Sequence, residues 1–167
     1  MEQIVDFKIK IEVRESNIAK AEKGLFACES VSKGVFLGLD SFNKNNLSSV
    51  EKIKALPLKK LRFSWREIEN ICFKADLNNP TITDYFNHSD DPNILYFLGA
   101  YFSLQDIKTG DELTLDDRTI FDPSWAPFIN SSTNKEVKGM DWREAIVFSC
   151  RKLLGLFDGD NKKPDKL

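Results

Sequence analysis

Nine residues in the middle of the chain, Tyr85-Phe86-Asn87-His88-Ser89-Asp90-Asp91-Pro92-Asn93, constrain the fold more than any other stretch. Asn, Asp and Ser side chains bond to nearby backbone and Pro fixes φ, so this is a rigid, tight loop that presents polar groups. The residues from Ile94 to Leu104 are almost continuously apolar or aromatic, broken by Gly99, which reads as strand interrupted by a bulge or turn. Downstream, Ile107-Lys108-Thr109-Gly110-Asp111-Glu112-Leu113-Thr114 is a turn closed by glycine that leads into another strand.

The flanks extend the same pattern. In residues 5–13, Val5, Phe7, Ile9, Ile11 and Val13 alternate with Asp6, Lys8, Lys10 and Glu12, which predicts one half-buried strand. Leu25-Phe26-Ala27 and Val35-Phe36-Leu37 read as short strands, each preceded by a Lys-Gly pair (Lys23-Gly24, Lys33-Gly34) whose glycine can take the positive φ of a tight turn. Residues 43–79 read as a helical insert. One helix is expected from Val50 to Leu56, and a second after the capping box Ser64-x-x-Glu67, with Ile68, Ile71, Cys72 and Ala75 on one face. A last helix is predicted from Trp142 to Phe157, capped by Asp141 and Glu144, its stripe being Trp142, Ala145, Ile146, Cys150, Leu153, Leu154 and Phe157. The charged end, 158–167, reads as a flexible tail.

With 167 residues the chain suits a single core. Lys plus Arg (24) nearly balances Asp plus Glu (26), so no excess of positive charge draws it to nucleic acid or to anionic membranes. No apolar run approaches the ~20 residues that span a bilayer, and the first ten residues lack the apolar core of a secretory signal, so a cytoplasmic location is expected. Cys28, Cys72 and Cys150 are widely spaced among apolar neighbours and there is one histidine, which predicts buried free thiols and no metal site.

Three segments taken in order resemble the motifs of one family. Lys23-Gly24-Leu25-Phe26-Ala27 with Val31-x-Lys33-Gly34, then Asn87-His88-Ser89-x-x-Pro92-Asn93, then Asp106-Ile107-x-x-Gly110-Asp111-Glu112-Leu113-Thr114 are similar to the opening and the paired C-terminal motifs of SET domains. The resemblance spans residues 13–117 with a variable insert between its halves, and Phe73-Lys74-Ala75-Asp76 is similar to the family's Tyr-x-Ile-Asp strand. It implies a mainly β, SET-type β-clip fold with a helical insert, a C-terminal helix and a pseudoknot in which the C-terminal segment threads beneath a loop. Residues 1–120 would form the SET domain and 121–157 a C-terminal lid and helix.

The same resemblance implies an S-adenosylmethionine-dependent protein-lysine methyltransferase acting on a protein substrate. Glu22, Lys23, Gly24, Leu25 and the Asn87 side chain would hold the methionine part of the cofactor, and His88 would meet the adenine through its backbone. Tyr96 matches one pocket tyrosine, while Asp117 stands where the family's other tyrosine is expected. A carboxylate there would hold a lysine in its ammonium form, so the hydroxyl is expected from Tyr85 or Tyr101, or the chain is a weak or non-catalytic module that binds a partner. Glu22 replaces the first glycine of the family's Gly-x-Gly turn. Phe102, Phe121 and Trp125 would line the lysine channel with Tyr96, and the family's zinc-binding cysteine tail is missing, so Phe121, Trp125, Phe128 and the last helix are expected to supply the lid. A β-clip domain for sugars or small anions is the weaker alternative, since it leaves the Asn-His-Ser loop unexplained.

Overall fold

In the computed structural model, residues 6–39, 47–49, 64–68, 71–74, 82–121, 123–124 and 127–157 are described. The alternating N-terminal segment forms two strands rather than one: β1 (Asp6–Phe7) and β2 (Ile11–Glu15). The chain bends at residues 8–9, where Lys8 N donates to Leu37 O at 2.7 Å, and Lys10 O then accepts from Cys28 N at 2.9 Å. The period of two survives the bend, with Phe7, Ile9, Ile11 and Val13 all packed on the core. The strand divides because its halves pair in different sheets.

One sheet has the order β1-β4-β10-β9, with β4 at Phe36–Leu39, β9 at Ile94–Phe97 and β10 at Ala100–Ser103. The other has the order β2-β3-β11-β8, with β3 at Lys23–Ala27, β8 at Asn87–His88 and β11 at Glu112–Leu115. Strands β9 and β10 form a hairpin whose two turn residues, Leu98 (φ 48) and Gly99 (φ 88), both have positive φ, as a type I′ turn requires. Both sheets supply the core: Leu25 and Leu113 from one, Leu37, Ile94 and Tyr101 from the other, together with Ile107. The Lys33-Gly34 turn has the expected positive φ (82) at Gly34. It is tied to β10 by Ser103, whose buried hydroxyl donates to Ser32 O at 2.7 Å and accepts from Val35 N at 2.9 Å.

Within the insert, the helix expected after Ser64 is instead a pair of antiparallel strands, β6 (Ser64–Ile68) and β7 (Ile71–Lys74), with β5 (Leu47–Ser49) on the far edge of β7. Trp65, Ile68, Ile71 and Phe73 are residue types that favour a pleated surface. Spacing over so few residues does not separate a helical face from a short hairpin. The predicted helix over 50–56, Ala75, Asp76 and the tail 158–167 lie outside the described residues.

The C-terminal helix α1 spans Trp142–Phe157 as predicted. Asp141 caps it, its carboxylate accepting from Arg143 N at 2.9 Å while its carbonyl accepts from Ala145 N at 2.9 Å. The helix packs on β9 and on a 3₁₀ turn at Asp117–Thr119. Ala145 and Ser149 are its buried residues, whereas Leu154 and Phe157, expected on the stripe, are exposed. Cys28 and Cys150 are free and half-buried rather than buried. Among the described residues no helix is long and apolar enough to cross a membrane, and no group of three metal-ligating side chains occurs.

Candidate functional site

The site is made where three strands from distant parts of the sequence meet. Strand β11 runs antiparallel to β3, with Leu113 opposite Leu25, and parallel to β8, with Thr114 opposite Asn87 and Leu115 opposite His88. A parallel pair needs a crossover, and here the β9–β10 hairpin and the glycine turn of residues 107–110 supply it. Asn93 fastens the start of that crossover to β11, its Nδ2 donating to Glu112 O and its Oδ1 accepting from Thr114 N, both at 2.8 Å.

Asn87 therefore projects beside Gly24 and Glu112. Its Nδ2 donates to Lys23 O and to Glu112 Oε1, each at 2.8 Å, with Ser16 Oγ a third acceptor at 3.2 Å. The Glu112 carboxylate also accepts from Ser16 Oγ and from Asn17 N, each at 2.7 Å. Gly24 is not in the positive-φ conformation expected of a turn glycine; it is a residue of β3, required for space. A Cβ there would lie 2.2 Å from Glu112 Oε1 and 3.1 Å from Asn87 Nδ2. With the amide hydrogens of Asn87 committed, what remains toward a ligand is oxygen: Lys23 O, Asn87 Oδ1 and the Glu112 carboxylate. Such a set of acceptors matches an ammonium group and disfavours an anion.

His88 continues the same edge. Its side chain is 5% exposed, Nδ1 accepts from Asp117 N at 3.2 Å, and Nε2 faces Asp90 Oδ1 at 3.4 Å. The hydrogen bond from Asp117 assigns the ring proton to Nε2. Burial lowers the His88 pKa below its ordinary value, against the opposing pull of Asp116 and Asp90, so the ring is neutral at neutral pH. Next along the chain, Asp116 is buried and held by Arg118, with Nε to Oδ1 at 2.8 Å and Nη2 to Oδ2 at 2.7 Å. Asp117 opens the 3₁₀ turn and is half-buried. Burial first, and the neighbouring Asp116 carboxylate second, push its pKa up to about 8.

A small hairpin, β12 (Phe128–Ile129) with β13 (Glu136–Val137), closes over this edge. Phe128 meets the His88 ring edge-on at 5.5 Å and Phe121 at 6.1 Å. Asn130 Nδ2 donates to Asp90 Oδ2 at 3.2 Å, and Ser131 Oγ donates to Ala19 O. The hairpin so links the loop after β8 to the turn before β3.

The structure thus brings together Lys23, Gly24, Asn87, His88 and Asp117 among the predicted residues, with Phe121 near His88 through Phe128. Glu22 is exposed and its carbonyl accepts from Ser16 N at 3.4 Å. Leu25 is fully buried, its side chain in the core and its backbone partnered by β2 and β11. Tyr96 packs 5.0 Å from Tyr101 in an aromatic group with Phe7 and Phe86, and Tyr85 lies half-buried against the same core. Phe102 is separated from them, its ring meeting Phe36 at 5.6 Å, because successive residues of β10 face opposite ways. Trp125 lies outside the described residues. Asn93 closes the Asn-His-Ser-x-x-Pro-Asn motif, but its bonds to β11 are not readable there. For Ser16 and Asn17 the sequence carries only polarity beside a strand, which any loop shares.

The family model of the SET domain matches residues 22–116, more than half of the chain. The chain belongs to the SET-domain family. SET domains are typically those of protein-lysine methyltransferases. Solved structures share the fold at low identity. The chain matches "Crystal structure of an active polycomb repressive complex 2 in the stimulated state" with 21% identity over 65% of this chain and 15% of that one, at TM-score 0.54. An apo ctPRC2 carrying two substitutions matches with 18% identity over 90% of this chain and 22% of that one, at TM-score 0.58. A Chaetomium thermophilum polycomb repressive complex 2 matches with 16% identity over 90% and 24%, at TM-score 0.55. This chain therefore spans less than a quarter of the length of those chains. Comparison with curated proteins gives no match. Within the SET frame, the parallel β8–β11 pair is the meeting of the two C-terminal motifs.

Proposed function

We propose that this SET domain is an S-adenosylmethionine-dependent protein-lysine methyltransferase. The observation that carries the reading is the convergence of Lys23 O, Asn87 Oδ1 and the Glu112 carboxylate at Gly24, whose missing side chain admits that carboxylate. That cradle fits the ammonium group of the cofactor: Lys23 O and Asn87 Oδ1 would accept from it, beside the Glu112 carboxylate. When bound, S-adenosylmethionine supplies an electrophilic methyl group on a sulfonium. His88 offers its strand backbone beside the site while its ring braces Asp117 N. The β12–β13 hairpin would shield the site from water. The β8–β11 contact supports a threaded crossing of the C-terminal segment. A lysine amine must arrive uncharged and close, which an approach past the half-buried Tyr85 and Tyr96 would favour by desolvation.

Asp117, in the place of an expected tyrosine, favours a second reading: a SET module that binds cofactor or a protein partner without transferring a methyl group. Calorimetry with S-adenosylmethionine tests the first reading. Binding should weaken by about tenfold or more in Asn87→Ala, the worth of one hydrogen bond to a charged group. Absence of binding at millimolar cofactor removes it. If cofactor binds, no protein is ever labelled, and Asp117→Tyr creates labelling, the module reading stands.

A further inference from the structure

The β12–β13 hairpin stands on two feet and is fastened at its tip. Both feet rest on the 3₁₀ turn at Asp117–Thr119: Phe121 N donates to Asp117 O at 2.9 Å before the hairpin, and Met140 N to Arg118 O at 2.8 Å after it. Ile120, next to the first foot, and Val137 in β13 are buried. The tip is held by side chains instead. Asn130, itself buried, shapes it by accepting from Ser132 N at 2.9 Å and from Thr133 N at 3.3 Å, and its Nδ2 donates to Asp90. The Thr133 side chain bonds the same carboxylate, and Ser131 Oγ donates to Ala19 O. These anchors belong to the segments that wall the cradle. Asp90 lies just past Asn87-His88, and Ala19 lies in the turn whose Ser16 and Asn17 hold the Glu112 carboxylate. The tip bridges the two.

Asp90 is chemically suited to this fastening. Its Oδ1 faces His88 Nε2 at 3.4 Å, its Oδ2 accepts from Asn130 Nδ2 at 3.2 Å, and Thr133 bonds it as well. Because Asp117 N donates to His88 Nδ1, the ring turns an N–H toward Asp90. Each of these partners therefore donates, and a carboxylate, with acceptors on both oxygens, satisfies them together. Desolvation raises the Asp90 pKa, but the bonds from Thr133 and His88 outweigh it and hold the carboxyl below its ordinary value, so it is an anion at neutral pH. We propose that residues 128–137 are a strap that unbuckles at its tip to admit and release the cofactor, with Asp90 as the buckle. The inference rests on the methyltransferase reading. Asp90 acts through the hairpin and is a positioning residue. The tip is where opening begins, because its fastening group is 36% exposed while the feet are backbone bonds beside buried Ile120 and Val137. Exchange of a ligand covered by such an element proceeds at the rate at which the element opens.

The test follows S-adenosylhomocysteine on the full chain by surface plasmon resonance, which reads association and dissociation separately. Asp90→Asn keeps the size of the side chain but turns an amide donor onto His88 or Asn130. Both rate constants should rise by about tenfold, the effect of losing one such bond. The Kd should stay within about threefold of wild type, since a gate lies on the path in both directions. Asp90→Glu keeps both acceptor oxygens and should stay nearer to wild type than Asp90→Asn. Hydrogen exchange of the amides of residues 128–137 should quicken in Asp90→Asn while that of α1 is unchanged. Rate constants unchanged in Asp90→Asn overturn the inference, since the tip then gates nothing. Faster dissociation with association unchanged and Kd raised to match overturns it too, since the hairpin is then a wall of the site and not its gate. Both results leave cofactor binding intact. A wild-type chain that binds no S-adenosylhomocysteine at millimolar concentration overturns the reading beneath. Should Asp90→Asn fail to fold, Ser131→Ala removes the other fastening and is judged by the same rate constants.

Discussion

Substitution of Gly24 by alanine probes the site at its tightest point. The added Cβ would lie 2.2 Å from Glu112 Oε1 and 2.8 Å from its Cδ, against ordinary contact at 3.4–4 Å. The carboxyl must therefore retreat by roughly 1 Å, and it is not free to do so. It is held by Ser16 Oγ, Asn17 N and Asn87 Nδ2. Losing one or two bonds to a charged acceptor, each worth ~1.5–3 kcal/mol, on top of the strain of an overfilled site, leads us to expect a loss of about 2–4 kcal/mol. Urea denaturation measures it, and calorimetry should show cofactor binding weakened along with stability. Gly155→Ala is the internal control: nothing lies within 4 Å of a Cβ there, and in α1 the change should be neutral or stabilise by up to about 1 kcal/mol. A Gly24→Ala protein within about 0.5 kcal/mol of wild type, with cofactor affinity unchanged, would show that Glu112 is not held as described.

Three further outcomes follow from particular contacts. The folded pKa of Asp117, about 8, lies above its unfolded value, so the native state keeps a proton that the unfolded chain releases. The stability present below pH ~4 is then lost as pH rises toward 8. Four units correspond to roughly 5 kcal/mol, which water at a half-buried carboxyl reduces to an expected 2–4 kcal/mol between pH 5 and 8. Asp117→Asn should flatten that slope in urea titrations, and equal slopes would count against a desolvated carboxyl. Asn93→Ala removes both bonds to β11 and should cost about 2–3 kcal/mol by thermal or urea denaturation, with the site amides of Glu112 and Thr114 losing hydrogen-exchange protection. Ser131→Ala frees the hairpin from Ala19; exchange in residues 128–137 should quicken while global stability moves by no more than about 1 kcal/mol.

Much of the fold was legible because alternation and glycine turns act locally. The strands around Leu25, Ile94 and Leu113 and the capped helix from Trp142 could be read from period and caps. What the pattern did not show was partnership. Residues 5–13 alternate without a break, yet the strand divides at residues 8–9 because Leu37 and Cys28, far along the chain, take its two halves into different sheets. In the insert, Ser64-x-x-Glu67 carries a helix-start signature, and the neighbours with which it pairs as strand outweigh it. The Asn87-His88 pair was readable as a site from its loop chemistry and its order relative to Gly24 and Glu112. The role of Gly24 was not: the reason for glycine is a carboxylate distant in sequence, not a backbone angle. Asp117 illustrates the same limit. Its charge could be read as a solvated carboxylate until the structure showed it half-buried, with Arg118 committed to Asp116 and the His88 ring turned to Asp90.

The most direct measurement is a crystal structure of the chain with S-adenosylhomocysteine. The account predicts the ligand's ammonium within hydrogen-bond distance of Asn87 Oδ1 and Lys23 O, beside Gly24, with Asn87 Nδ2 still donating to Glu112. A ligand bound elsewhere, or an Asn87–Glu112 cluster closed against it, would contradict the account.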